Sequence, residues 1–225
     1  HLGQNFYTKS RKDEHAQFLA WLLQAVQQNA VDCVVVAGDV FDTGAPPSYA
    51  REMYNQFVVD LHATGCGLVV LGGNHDSVAM LNESKQLLAQ LNTHVVAGVL
   101  DESGHQAIPL KRTHGDIGAI LCAIPFIRPR DVIKSQANES ADEKRLALAD
   151  AIKQHYSDVY NHALALRQEL NVDVPIIATG HLTAMGVTSS DSVREIYIGT
   201  LGGFAADGFP PADYIALGHI HRPQK

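Results

Sequence analysis

The sequence CVVVAGDVFD at residues 33–42 joins a short apolar run to a polar tail, and it decides the fold. The run is rich in valine and stops at a glycine, which is typical of a buried β-strand that ends in a turn. The same pattern recurs, with apolar runs at residues 68–71, 175–178 and 214–217 that lead into GNHD at 73–76, GH at 180–181 and GHIH at 218–221. We therefore predict a sheet whose strands end in polar turns.

The polar residues after these strands predict a metal site. In open α/β folds, ligands bind outside the carboxyl ends of the strands, so we expect the Asp, Asn and His side chains to gather at one sheet edge. A mixture of carboxylate, amide and imidazole groups suits hard to borderline divalent metal ions. The sequence therefore predicts a two-metal site of the kind that hydrolyses phosphoesters.

The chemistry of each side chain explains why it is a candidate metal ligand. Asp39 is the expected bridge, because one carboxylate can join two cations about 3.5–4 Å apart. Asn74 offers a neutral oxygen, and His181, His219 and His221 offer imidazole nitrogens. Since His219 and His221 flank a single residue, an extended backbone would point both side chains the same way.

His75 and Asp42 are the candidate catalytic residues. His75 follows Asn74 directly, and adjacent side chains diverge, so we expect it beside the substrate rather than on the same metal. There it can protonate a leaving oxygen or stabilise the phosphate in the transition state. The Asp42 carboxylate can orient His75 by accepting its other ring N–H. The alternative for Asp42 is a helix cap after Thr43.

Composition sets further limits. With 225 residues, 46% of them hydrophobic, the chain can form a core in one large domain or two small ones. We find no apolar run near the ~20 residues that span a bilayer and no signal-peptide pattern, so no membrane partner is expected. Cys33, Cys66 and Cys122 are isolated, which we interpret as reduced core residues of a cytoplasmic protein. The net charge of −7 disfavours a domain that coats nucleic acid through basic charge. It does not exclude a nuclease, because bound metal ions can supply the positive charge at the site.

Helical periodicity alternates with the apolar runs. Apolar stripes predict helices at residues 14–29, 47–63 and 82–91, and a long, mostly helical segment at 142–170. Residues 98–118 are polar, which indicates a hairpin or a loop, and strand signals return at 119–124. The predicted fold class is α/β, a sandwich with helices outside the sheets.

The remaining polar residues carry weaker signals. Seven histidines lack metal-ligand spacing and are predicted to lie at the surface: 15, 62, 94, 105, 114, 155 and 162. Arg128, Arg130 and Lys134 form a basic group in a loop, and Lys9 and Arg11 lie near the first motif. These five side chains are candidates for DNA phosphate binding, with a solvated loop as an equal alternative.

The order of the motifs resembles that of the calcineurin-like metallophosphoesterase superfamily, which runs Asp-x-His, Gly-Asp-x-x-Asp, Gly-Asn-His-Asp/Glu, Gly-His and Gly-His-x-His. More narrowly, the chain resembles the SbcD-like bacterial nucleases over essentially its whole length. The narrower resemblance rests on HLG at 1–3 with FY at 6–7, GDVFDTGAPP at 38–47, GNHDS at 73–77 with LNES at 81–84, PFIRPRD at 125–131, EIYIGT at 195–200 and ALGHIHRPQ at 216–224. It implies a sandwich of two mixed β-sheets flanked by helices.

The resemblance also implies a function. Two divalent ions, usually Mn²⁺ with Mg²⁺ as the alternative, are implied at the positions matching His1, Asp39, Asn74, His181, His219 and His221, and His75 matches the catalytic histidine. The implied reactions are exonuclease action on double-stranded DNA and endonuclease action on single strands and hairpins, in DNA repair, recombination and replication. An SbcC-like coiled-coil ATPase is the implied partner, and the implied assembly is a homodimer in the bacterial cytoplasm. Archaeal and eukaryotic relatives carry a histidine where this chain has Asp42, so roles of that histidine do not transfer.

Two departures from the family pattern shape the expected domain. The pattern has an aspartate two residues before His1, on a first strand, and it continues beyond Lys225 into a cap domain. We therefore expect residues 1–225 to be a metallophosphoesterase domain without its first strand and cap, weakened because one metal lacks a protein ligand. Two alternatives stay open: a metallophosphatase or cyclic-nucleotide phosphodiesterase for small phosphoesters, and a non-catalytic scaffold. The presence of His75 and of nearly all the ligands counts against the scaffold.

Overall fold

Strands and helices alternate along the chain. The structure, a computed structural model, describes residues 1–133, 140–184 and 203–221. The strands are β1 (Asn5–Phe6), β2 (Lys9–Ser10), β3 (Cys33–Ala37), β4 (Gly67–Leu71), β5 (Thr93–Val96), β6 (Ala107–Lys111), β7 (Ile117–Cys122), β8 (Ile176–His181) and β9 (Tyr214–Gly218). The helices are α1 (Lys12–Gln28), α2 (Ser48–Ala63), α3 (Val78–Glu83), α4 (Lys85–Ala89), α5 (Pro129–Val132) and α6 (Ala141–Glu169), with 3₁₀ turns at Ser103–Gln106 and Ala206–Gly208.

Two sheets form the centre of the fold. The first joins β3, β4 and β5 in that order, all parallel. The second has the order β6-β7-β8-β9, with β6 antiparallel to β7 and the other pairs parallel. Strands β1 and β2 form a separate hairpin. The predicted α/β sandwich is confirmed, although the described strands of the first sheet are parallel rather than mixed.

Alternating side chains divide the core into layers. In β4, Leu68 packs with residues of α1 and α2, whereas Val69 faces the second sheet. In β7, Leu121 meets that same central layer, whereas Ile120 packs under α6. Each fully buried aliphatic side chain contributes about 1.5–3 kcal/mol to the stability of the fold. Burial in these three layers holds the two sheets together and packs helices against the outer face of each sheet.

Strand β8 is longer than the sequence predicted. The apolar run stops at residue 178, but the strand continues to His181. Thr179 allows this continuation because its buried hydroxyl donates to the Cys122 carbonyl at 2.8 Å and accepts from the Ile124 N–H at 2.8 Å. A polar residue can occupy a core strand when its hydrogen bonds are made. His181 therefore lies within the strand end.

The helices follow the predicted periodicity, with one division. The helix predicted at residues 82–91 is replaced by α3 and α4, which meet at Ser84, where ψ is 7° and the regular helix is interrupted. The Ser77 side chain caps α3 by accepting from the Met80 N–H at 3.3 Å. At the start of α6, Ser140 and Glu143 form a capping box.

One histidine prediction was wrong. His155 is only 9% exposed, not a surface residue. It lies in α6 between Ile152 and Val159, which are three and four residues away and fully buried, so it belongs to the apolar stripe of the helix. Burial lowers the pKa of His155, which favours the neutral ring.

Across the described parts of the chain, none of the helices combines the length and the apolar character needed to cross a membrane.

Candidate metal centre

The carboxyl ends of β3, β8 and β9 meet at one edge of the two sheets. His181 Nδ1, at the end of β8, lies 2.8 Å from the carbonyl oxygen of Ala37, at the end of β3. Gly218, which ends β9, approaches the same carbonyl so closely that a Cβ atom would overlap it. The loops that follow these strands therefore carry their polar side chains into one small volume.

Asp39 lies at the centre of this volume. Its Oδ2 atom is 3.1 Å from His181 Nε2 and 3.6 Å from His1 Nε2. Its Oδ1 atom accepts a hydrogen bond from the backbone N–H of His75 at 3.0 Å. One carboxylate oxygen thus faces two separate histidines, while the other fixes the loop that carries His75.

The more buried set of side chains, which we call the inner group, consists of Asp39, Asn74, His181 and His219. Asn74 Oδ1 lies 2.9 Å from His181 Nε2 and 3.0 Å from His219 Nδ1. Ligand atoms of Asp39, His181 and His219 all lie within 4.8 Å of one another. Two oxygens and two nitrogens therefore converge.

The more exposed set, the outer group, consists of His1, Asp39 and His221. Their ligand atoms also lie within 4.8 Å of one another, and the Nε2 atoms of His1 and His221 are 3.1 Å apart. The inner and outer groups have Asp39 in common. The structure brings all six predicted metal-binding residues together, and their role as ligands stays a prediction.

The ring orientation of His181 shows that the inner group fits a cation. A carbonyl oxygen can only accept, so the short contact with Ala37 requires the proton on His181 Nδ1. In the neutral ring, Nε2 then presents a lone pair to the oxygens of Asp39 and Asn74. These lone pairs repel unless a positive charge lies among them, and imidazole, carboxylate and amide groups are all ligands of divalent metals.

A left-handed backbone turns the chain from β3 into the site. Gly38 has φ of +93° and Asp39 has φ of +53°. A Cβ atom on Gly38 would overlap the His181 ring, so glycine is needed here for space as well as for conformation. A left-handed conformation costs a residue such as Asp39 roughly 1–2 kcal/mol, which the surrounding contacts must offset.

The GHIH motif folds differently from the extended backbone considered in the sequence analysis. Strand β9 ends at Gly218, and His219 has φ of +97°. The turn separates the two histidines, so that His219 joins the inner group and His221 joins the outer group.

Asp76 links the two loops beneath the site. Its buried carboxylate accepts hydrogen bonds from the backbone N–H groups of Val40 at 3.1 Å, Phe41 at 3.0 Å and Gly73 at 2.8 Å. These donors belong to the loops that carry Asp39 and Asn74. Burial raises the pKa of Asp76, and the N–H donors oppose that shift.

His75 is oriented by Asp42, but through the backbone. Its Nδ1 atom lies 2.7 Å from the carbonyl oxygen of Asp42, so this nitrogen carries the proton and Nε2 is left for the substrate. The Asp42 carboxylate, which the sequence predicted in that role, instead accepts from the Gln4 side chain at 3.2 Å and lies 3.7 Å from His1 Nδ1. The His75 ring packs edge-on against the His1 ring, with 4.9 Å between centroids.

A family model for calcineurin-like phosphoesterases matches residues 1–223. The chain belongs to this family. It is 59% identical over 224 residues to the SbcD subunit of the nuclease SbcCD from Escherichia coli K12, an alignment that covers 100% of this chain and 54% of that relative. The SbcD subunits from Rhodobacter capsulatus and Bacillus subtilis are 35% and 30% identical, over 100% of this chain and 56% and 55% of theirs.

This phosphoesterase chain spans about half the length of the curated relatives it matches. Among solved structures, a β-glucosidase from Exiguobacterium marinum aligns over 84% of this chain and 43% of its own, at 15% identity and a TM-score of 0.30, which is too low to carry an argument. Membership of the calcineurin-like phosphoesterase family implies divalent metal binding, in agreement with the donor groups found here.

Two pKa shifts prepare this phosphoesterase site for metal. Burial raises the pKa of the Asp39 carboxyl, but the adjacent His181 ring and the hydrogen bond from the His75 backbone N–H outweigh burial, and the net pKa is below its usual value. Burial, together with the nearby His181, lowers the pKa of His219 to about 4. At neutral pH both groups are therefore deprotonated, which is the form that binds metal ions.

Arg11, a predicted DNA-binding residue, makes two side-chain contacts within the protein. Its Nε atom lies 2.7 Å from the Glu14 carboxylate, and Nη1 donates to the Gln4 side chain at 2.8 Å. Since Gln4 also contacts Asp42, Arg11 supports the loops around the site. These contacts use Nε and Nη1 of the guanidinium, and the DNA-binding role of Arg11 stays a prediction.

The other basic candidates differ in exposure. Lys9 is exposed on the β1–β2 hairpin, and the Arg130 side chain is 80% exposed. Arg128 is partly buried and donates to the Asp76 carbonyl at 3.1 Å. Lys134 and the EIYIGT motif lie outside the described residues.

Sequence reasoning assigned no role to Asp76, Gln4 or Ala37. Asp76 gave a local signal, because an Asp three residues after a loop glycine can accept a turn hydrogen bond. Gln4 and Ala37 gave none, since their contacts reach residues 38 and 144 positions away in the chain.

Proposed function

We propose that this chain is the nuclease domain of an SbcCD-like enzyme, which hydrolyses phosphodiester bonds in double-stranded and hairpin DNA with two divalent ions, Mn²⁺ in preference to Mg²⁺. One observation carries the proposal: a single carboxylate oxygen of Asp39 lies near His181 of the inner group and near His1 of the outer group. One shared carboxylate between two ligand sets is the arrangement that a two-metal hydrolase requires. The SbcD relatives are subunits of the nuclease SbcCD, which supports DNA as the substrate.

The proposed ligands form two sets, one for each ion. Asp39, Asn74, His181 and His219 hold one ion, and His1, Asp39 and His221 hold the second. When bound, the ions supply electrophilic stabilisation of the phosphate and activation of water. The protein supplies the orientation, because the carbonyl of Ala37 sets the His181 ring and the N–H of His75 fixes Asp39.

His75 is the proposed general acid. The Asp42 carbonyl holds the proton on Nδ1, so a second proton on Nε2 can be donated to the leaving oxygen of the cleaved bond. The His75 ring packs edge-on against His1, which would be a ligand of the outer ion. In this proposal the Asp42 carboxylate interacts with the His1 ring and does not donate a proton to the substrate.

The remaining parts of the proposal concern assembly. The relatives are named as subunits of SbcCD, so we propose that this chain also works with an SbcC-like coiled-coil ATPase, in the bacterial cytoplasm. The aromatic residues Phe18 and Trp21 of α1 are 53% and 58% exposed, which supports the homodimer as well.

The test compares three substrates with matched histidine variants of the full-length protein. We expect Mn²⁺-dependent cutting of a labelled hairpin duplex by the parent, and a 10²- to 10⁴-fold slower turnover for His75→Gln. His114→Gln removes an exposed imidazole outside the site and should leave the rate unchanged. Bound metal, measured by elemental analysis, should remain at two ions per chain in both variants.

The other outcomes separate the alternatives. Hydrolysis of p-nitrophenyl phosphate by a parent that leaves DNA intact would move the function to small phosphoesters. Hydrolysis of cyclic nucleotides alone would identify a cyclic-nucleotide phosphodiesterase. A parent that binds no metal and hydrolyses none of these substrates would be a scaffold.

A further inference from the structure

The Arg128 side chain is fixed at the rim of the metal centre. Its Nη2 atom donates to the carbonyl oxygen of Asp76, the residue after His75, at 3.1 Å. Its guanidinium carbon lies 5.4 Å from the ring centroid of Phe126, and that ring packs edge-on against His181 at 6.2 Å. A hydrogen bond and an aromatic contact therefore hold the guanidinium near both His75 and the inner group.

This cation has no acidic partner among the residues that the structure describes. None of the ion pairs found within 4.0 Å there includes Arg128, whereas Arg11, Arg112, Arg130 and Arg145 each have one. The nearby Asp131 carboxylate accepts from the backbone N–H of Arg128 and not from its guanidinium. The Arg128 Nη1 atom is buried and has no hydrogen-bond partner among the described residues 1–133, 140–184 and 203–221.

A partly buried guanidinium without an acidic partner lowers the stability of the fold unless an anion binds to it. A guanidinium with unmade hydrogen bonds loses solvation without compensation, and the loss is larger for a charged donor than for a neutral one. Its planar N–H groups match the oxygens of a phosphate. Proximity to a centre that binds cations makes a second positive charge there even less favourable without an anion.

We propose that Arg128 binds a phosphate next to the one that is cleaved, and thereby selects polynucleotides over small phosphoesters. This inference rests on the proposed nuclease function. The Asp76 carbonyl and the Phe126 ring anchor Arg128 outside the inner and outer groups, so it serves a neighbouring phosphate of the same strand. Backbone phosphate contacts of this kind position a nucleic acid without reading its sequence.

The test uses the full-length protein and measures binding as well as rate. Binding of a fluorescent hairpin duplex is followed by anisotropy in EDTA at several salt concentrations, and Mn²⁺-dependent hydrolysis is measured for the hairpin and for bis(p-nitrophenyl) phosphate. For Arg128→Gln we expect about tenfold weaker DNA binding and a salt slope smaller by about 1, because one phosphate contact is lost. Hydrolysis of bis(p-nitrophenyl) phosphate, which has a single phosphate, should change by less than about twofold.

Arg112→Gln is the matched control, because it removes the same charge from an exposed side chain in the β6–β7 turn, at the end of β7 away from the metal centre. It should weaken DNA binding by less than about threefold. Arg128→Lys keeps the charge and should retain most of the salt slope, which a purely structural role of the guanidinium does not predict. Parent-like DNA binding and slope in Arg128→Gln, or an equal loss on both substrates, would overturn the inference alone. A parent that does not cut DNA would overturn the nuclease proposal and this inference with it.

Discussion

The Nδ1 atom of His181 lies 2.8 Å from the backbone carbonyl oxygen of Ala37, and this contact connects the two sheets at the metal centre. Because a carbonyl only accepts, it fixes the proton on Nδ1 and turns Nε2 toward Asp39. As a proposed metal ligand, His181 is thus already oriented for binding and would need no rearrangement. The packing of one sheet against the other therefore sets the chemistry of the site.

Gly38→Ala should disturb this orientation. A Cβ atom at residue 38 would overlap the His181 ring, so the ring must move away from Ala37. We expect metal affinity to fall by 10- to 100-fold, the range typical of lost outer contacts of a metal ligand. Titration calorimetry with Mn²⁺ measures the change.

Gly115→Ala is the control for this substitution. Gly115 also has a left-handed φ, +105°, but a Cβ atom there would meet nothing within 4 Å. Both variants should lose roughly 1–2 kcal/mol of unfolding free energy from backbone strain, while only Gly38→Ala should lose metal affinity. Equal affinities in the two variants would show that the contact between the sheets does not orient His181.

Asp42→Asn should affect the reaction much less than His75→Gln. The backbone carbonyl of Asp42 holds the His75 ring, and an Asn keeps that carbonyl in place. We expect turnover on hairpin DNA to fall by less than about tenfold for Asp42→Asn, against the 10²- to 10⁴-fold effect of a lost general acid. If the two variants lose the same activity with bound metal unchanged, the Asp42 carboxylate itself takes part in proton transfer.

The stability of the metal-free protein should fall in mild acid. The pKa of His219 is lowered from 6.5 to about 4 in the folded protein, so between these values the unfolded chain binds a proton that the folded chain does not. The contribution of His219 to the free energy of unfolding is therefore fully present above pH 6.5 and decreases as the pH falls toward 4, whereas the raised pKa of Asp76 contributes in the opposite direction. His155 contributes in the same direction as His219, because burial lowers its pKa as well.

Urea unfolding in EDTA at pH 7.5 and pH 5 measures this effect. The difference between the two unfolding free energies should shrink in His219→Gln and in His155→Gln. His162→Gln, on the exposed side of α6, should keep the parent's difference. The same pH difference in the parent, His219→Gln and His155→Gln would contradict the assigned shifts.

Much of this fold was predictable because its signals are local. The valine-rich run of β3 predicted the strand with the bounds it has, and the α/β sandwich followed from the alternation of such runs with helical stripes. The grouping of polar side chains at one edge was predictable for the same reason, since Asp39, Asn74 and His181 each follow or end a strand.

The parts that failed depend on contacts between distant residues. The end of β8 was misplaced because the hydroxyl of Thr179 bonds to Cys122 at the end of β7 and to Ile124 just after it, and no local sequence pattern predicts these contacts. His155 was placed at the surface because its side chain is polar, yet its position in the apolar stripe of α6 decides its burial. The contact of His75 with a carbonyl of Asp42, and not with its carboxylate, is equally invisible in sequence.

Asp76→Asn should destabilise the fold and the metal centre together. Both carboxylate oxygens of Asp76 accept backbone N–H groups, from Val40, Phe41 and Gly73, so an amide at this position must turn its NH₂ toward at least one donor. We expect the unfolding free energy to fall by about 2–3 kcal/mol, the cost of replacing charge-assisted bonds and leaving a buried donor unpaired.

Urea unfolding of Asp76→Asn measures this loss, with Asp60→Asn as the control. Asp60 accepts a single bond, from Gln56 on the surface of α2, and its substitution should cost less than about 0.5 kcal/mol. Because the three N–H donors belong to the loops that carry Asp39 and Asn74, metal affinity should fall in Asp76→Asn and stay unchanged in Asp60→Asn. A stable Asp76→Asn variant with parent-like metal affinity would mean that the two loops keep their positions without this carboxylate.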